Sequence, residues 1–70
     1  MTNTELLRKK IDESGYKLVF IAEKCGLTYQ GFLKKMKGES DFYTTEVCIL
    51  AELLHLTDEE ILAIFFWKKG

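Results

Sequence analysis

One stretch constrains this chain more than any other: Leu18 to Gly38, LVFIAEKCGLTYQGFLKKMKG. It divides at Gly26 into two short helical patterns. Ile21 and Cys25 lie one turn apart in the first; Phe32, Leu33 and Met36 recur at helical spacing in the second. Glycine accepts the left-handed backbone conformation that helix C-termini commonly need, so Gly26 is read as the turn. The second segment carries Lys34, Lys35 and Lys37 and no acid. A closely packed helix pair with a basic second member is therefore the element around which an all-α fold must be built.

The remaining residues extend that plan. Gly15 and Gly38 stand, like Gly26, where helices would end. The pattern predicts a first helix over Thr4 to Ser14 with Leu7 and Ile11 buried, a second over Lys17 to Cys25, and a third over Tyr29 to Lys37. Thr28 occupies the N-cap of the third. The loop GESDFYT is polar except for Phe42 and Tyr43, and Phe42 is expected to plug the core. A fourth helix is predicted from Thr45 to His55. Its two apolar stripes, Val47–Leu50–Leu54 and Ile49–Leu53, mark it as the central packing element. His55 falls in its last turn, where the helix dipole favours a cation, which is a terminus role rather than a catalytic one. Thr57-Asp-Glu-Glu60 has the form of a capping box opening a fifth helix, Asp58 to Trp67. Residues 1–70 form one domain, because seventy residues leave no room for a second core.

Charge is divided rather than mixed. Residues 1–38 carry eight basic and four acidic side chains, a balance of +4; residues 39–70 carry two basic and seven acidic, a balance of −5. The net charge of −1 thus conceals one face that attracts phosphate and one that repels it. Cys25 and Cys48 form no CxxC and sit beside no histidine pair, so a metal site is not expected. They read as two small buried apolar side chains in a reducing compartment. The start MTNTELLRKK lacks the hydrophobic stretch of a signal peptide and no segment suits a membrane span; a cytoplasmic location is expected. With one histidine, no nucleophile beside a base and no glycine-rich phosphate loop, no enzyme activity and no cofactor are expected either.

Two helices on a glycine turn, the second basic, form the plan of a helix-turn-helix that inserts its second helix into the major groove of DNA. Ala22 and Gly26, four apart, give the small contact residue and the turn that such a pair requires, with Ile21, Cys25, Leu27 and Phe32 packed behind them. This run resembles the Cro/repressor (Xre) family of phage and bacterial regulators. Phe32, Met36, Gly38 and Phe42, then Glu46-Val47 and Glu60-Ile61 to Phe65-Phe66, resemble the small phage-borne Cro-like proteins of Gram-positive bacteria. The resemblance spans about Leu6 to Phe66. It implies a compact five-helix lambda-repressor-like DNA-binding domain with the helix-turn-helix at helices 2 and 3. Leu18 departs from the family's frequent polar residue there, Lys35 from an apolar core residue whose burial Met36 takes over. Gly31, inside the third helix, costs roughly 1 kcal/mol of helix propensity. It either lets the backbone approach a base or phosphate, or is a tolerated defect.

The same resemblance implies base-edge roles for Tyr29, Gln30 and Lys34, with Thr28 close to a phosphate. Gln30 can pair with adenine and Lys34 can donate to guanine. Tyr29 can alternatively pack its ring inward and reach a phosphate through its hydroxyl. Lys17, Lys35 and Lys37 are read as phosphate contacts. The expected function is a sequence-specific transcription regulator that occupies a double-stranded operator and blocks polymerase or a rival regulator. The alternative is a protein-interaction module on the same fold, an antitoxin or antirepressor. Seven consecutive apolar residues, Ile61 to Trp67, leave a second face beyond any that one core needs. Ile61, Ile64, Phe65, Phe66 and Trp67 are expected to form a homodimer interface, unless the tail folds back to complete its own core.

Overall fold

The computed structural model describes residues 2–67. These form five helices and no strand: α1 (Thr4–Ser14), α2 (Leu18–Lys24), α3 (Tyr29–Met36), α4 (Thr44–Leu53) and α5 (Asp58–Phe65). The starts of α1, α3 and α5 have local causes. Asn3 Oδ1 accepts from the Leu6 N–H at 3.2 Å to open α1. The Thr28 hydroxyl accepts from the Gly31 N–H at 3.0 Å to open α3. At α5 the capping box is reciprocal: Glu60 N–H donates to Thr57 Oγ1 and Thr57 N–H to the Glu60 carboxylate. These contacts satisfy N–H groups that a helix cannot satisfy internally.

The ends of α2, α3 and α4 follow one device. At Gly26 (φ 72°) and Gly38 (φ 81°) the chain turns left-handed, and the following N–H reaches back to close the last turn, Leu27 to Ala22 and Glu39 to Lys34. α4 ends the same way at His55 (φ 54°), with Leu56 N–H donating to Ala51 O. His55 therefore lies beyond the helix, not in its last turn as expected. Relieving a non-glycine of this conformation is worth about 1–2 kcal/mol, of which glycine's greater unfolded-chain freedom takes back roughly 0.5–1. The net gain is at most about 1.5 kcal/mol, so His55→Gly should raise the melting temperature by up to about 12 °C; a lower melting temperature would contradict this turn.

All five helices supply one core: Leu7 and Ile11 from α1, Ile21 and Ala22 from α2, Phe32 and Met36 from α3, Leu50 from α4, Ile64 and Phe65 from α5. The radius of gyration, 10.9 Å, matches the roughly 11 Å of a close-packed chain of this length. Phe42 enters from the α3–α4 loop and meets Phe32 and Phe65 edge-on, with ring centroids 5.9 and 5.8 Å apart. α1 packs on α3 and α5, and α2 on α3. α4 packs chiefly on α5 and fully buries only Leu50. It is thus a flank rather than the expected centre, since its two stripes are only half covered. Lys10 pairs with Glu60 to join α1 to α5. The Lys10 hydrogen bond, then the Thr57 N–H, holds the Glu60 carboxyl below its ordinary range, and the bond to Glu60 holds Lys10 above its own. No helix among the described residues is long and apolar enough to cross a membrane.

Candidate functional site

The outward face of α3 follows from the turn of the helix. Phe32 is fully buried. At 100° per residue, Gln30, Lys34 and Lys37 then point away from it, spaced i, i+4 and i+7. All three are exposed and, with Leu33 and Glu39, line one shallow groove. A second notch lies where the start of α2 meets the start of α3. Lys17, Leu18, Val19 and Tyr29 line it. Adjacent residues Tyr29 and Gln30 join the two depressions. The structure so brings together Lys17 with Tyr29, and Gln30 with Lys34 and Lys37. Thr28 is exposed at the same end of α3, its hydroxyl engaged in the cap. Tyr29 is 45% exposed, so its ring does not pack inward.

Among the described residues Lys17, Lys34 and Lys37 form no ion pair. Their charges are available to an anion. Glu39 is the one acid lining the groove, at the far end of α3. Gly31 has a local explanation beside those read from the sequence. A Cβ there would sit 3.0 Å from Thr28 Oγ1, so glycine leaves the capping hydroxyl its place.

Lys35 does not belong to this surface. It is 7% exposed, and its Nζ donates to Glu46 Oε1 at 2.6 Å. The same oxygen accepts from the Tyr43 N–H at 2.9 Å, and the Tyr43 ring lies 4.0 Å from the ammonium. Lys35 stands three residues after Phe32, on the buried side of α3, and clasps α3 to α4 instead of contacting a phosphate. Met36 is buried too and does not replace it. Its phase relative to Phe32 is the signal that places Lys35 inward; the charge of its side chain concealed it.

The cysteines differ from each other. Burial, then the Glu46 carboxylate, pushes the Cys25 thiol up to about 11, so it stays protonated and unreactive at neutral pH. Cys48 is exposed on α4, contrary to the expectation of burial. No cluster of three or more His, Cys, Asp or Glu suited to a metal ion exists among the described residues.

α5 divides its apolar run. Ile64 is fully buried and Phe65 7% exposed. Both complete the protomer core and neither can form a subunit interface. Asn3 N–H donates to Ile64 O at 2.6 Å, which fixes the face that α5 turns inward. Ile61 is partly buried against that core. Leu62, Phe66 and Trp67 remain 60%, 65% and 36% exposed, the last two lying past the helix end. Leu62 was absent from the expected face, although it stands four residues before Phe66. Comparison with protein-family models, with curated proteins and with solved structures returns no match. The functional assignment rests on the chain's own residues.

Proposed function

We propose that the chain is a sequence-specific DNA-binding regulator of transcription, with a lambda-repressor-like arrangement in which α2 and α3 form the helix-turn-helix. One observation carries it: Gln30, Lys34 and Lys37 share the exposed face of a helix whose other face is locked into the core. An α-helix fits the major groove, about 12 Å wide, and that face offers one amide and two cations. Gln30 and Lys34 reach base edges, Tyr29 reaches a base or phosphate, and Thr28, Lys17 and Lys37 hold phosphates. Occupying an operator, in the manner of a phage or prophage Cro-like repressor, would exclude polymerase or a competing regulator.

Selection of bound sequences from a random duplex pool tests this. A single operator motif should emerge. Lys34→Ala or Gln30→Ala should weaken its binding by about 1–3 kcal/mol and relax preference at one base pair per half-site. Recovery of no preferred sequence, or an operator bound equally well by Lys34→Ala, would overturn the assignment of this face.

The exposed Leu62, Phe66 and Trp67 favour a homodimer, whose two α3 helices would enter successive major grooves about 34–36 Å apart. Two such groups, exposed by 60% and 65%, are costly on a lone small domain. Leu62→Asp combined with Phe66→Asp should leave the melting transition in place, yield a monomer in sedimentation and reduce operator affinity. A parent chain that sediments as a monomer both alone and on operator DNA would exclude the dimer.

A further inference from the structure

We propose that the notch between α2 and α3 takes the 5-methyl group of a thymine, with Leu18, Val19 and Tyr29 as its apolar walls and Lys17 holding a phosphate beside it. The proposal rests on the DNA-binding reading and adds the base that this part of the surface selects. Within α2, Phe20 is 37% exposed and packs beside Tyr16 with ring centroids 5.1 Å apart, while Ile21 and Ala22 are at most 1% exposed. Val19 is instead 54% exposed and Tyr29 45%, and both open into the same depression. Single exposed apolar groups are ordinary. Three lining one notch, beside a cation and with no acid among the lining residues, are complementary to an apolar group carried on a polyanion. In the major groove, the thymine 5-methyl is the apolar group that a base edge presents. Leu18 and Val19 offer no side-chain hydrogen bond, so those two walls read shape and methyl, and the Tyr29 hydroxyl is the polar group among the three. Gln30, next in sequence to Tyr29, lies where the neighbouring base pair would be read by hydrogen bonding.

The test replaces each thymine of the selected operator in turn by deoxyuridine, which lacks only the methyl group. Burial of one methyl predicts about a four-fold loss of affinity at one thymine position per half-site, and little loss elsewhere. Val19→Ser, an exposed substitution at the start of α2, should bind the thymine and uracil operators within about two-fold of each other, as should Tyr29→Ala. Equal binding of parent protein to every uracil operator overturns the notch while leaving the DNA reading intact. So does a discrimination that survives in both variants, because the methyl is then read elsewhere. A selection that recovers no operator overturns both.

Discussion

Glu46→Ala should cost about 3–5 kcal/mol and lower the melting temperature by more than about 12 °C. The reason is what it leaves behind. Lys35 Nζ donates to Glu46 Oε1 at 2.6 Å, and both side chains are less than 10% exposed. Without the carboxylate, the ammonium keeps the Tyr43 ring, at 4.0 Å, worth about 0.5–2 kcal/mol, and the more distant Phe42 ring at 5.9 Å. The Tyr43 N–H also loses its acceptor, although exposed Tyr43 can offer that group to water. Glu46→Gln retains an acceptor for both donors and should cost less. A domain of this size is stable by only about 3–10 kcal/mol, so the Ala variant sits near the limit of folding. The decisive comparison is Lys35→Met with Glu46→Leu. It replaces the pair by apolar side chains of similar length and should return most of the loss. If Glu46→Ala melts within about 4 °C of the parent (under 1 kcal/mol), the buried pair is not formed.

Phe32→Ala should cost a comparable amount, about 3–5 kcal/mol. Phe32 is fully buried and meets Phe42 edge-on at 5.9 Å, and Phe42 in turn meets Phe65. The truncation leaves a cavity under α3 and removes an aromatic contact worth about 0.5–1.5 kcal/mol. Phe32→Leu, which fills much of that space, should cost distinctly less. Denaturant unfolding would show both losses as a lower midpoint with little change in slope. A loss below about 1 kcal/mol for Phe32→Ala would mean that this ring does not anchor α3.

What could be read from the sequence was whatever is set within a few residues. Thr28 and Thr57 announce the starts of α3 and α5 by local hydrogen bonds, and the glycines announce ends by local backbone conformation. α1 runs from Thr4 to Ser14, as its pattern predicts. α3 and α5 also begin where expected, and the remaining bounds shift by one or two residues. What could not be read depends on contacts distant in sequence. Lys35 finds its partner eleven residues away on another helix. A lysine in a basic segment resembles its exposed neighbours, and only its phase relative to Phe32 sets it apart. The run from Ile61 to Trp67 has no polar residue to fix its phase. Its inward face is chosen by packing on α1, which takes Ile64 and Phe65 and leaves Leu62 and Phe66 outside. In the same way α4 looks central by composition, but the stripes of Val47, Ile49, Leu53 and Leu54 are only partly covered. The outward face of α3 was legible because Gln30, Lys34 and Lys37 lie opposite Phe32 on any helix. The notch beside it was not, since it joins residues of two helices.

The function proposed for the exposed face of α3 is binding of duplex DNA. Its most direct test is a titration of the parent chain against random-sequence duplex at two salt concentrations, repeated with Lys37→Ala. Counterion release predicts that the logarithm of affinity falls linearly with that of salt, with a slope of about −0.9 for each phosphate neutralised. Lys37→Ala should make the slope shallower by about 1 for each chain bound. Absence of binding at low salt, or binding that salt leaves unchanged, would contradict the claim.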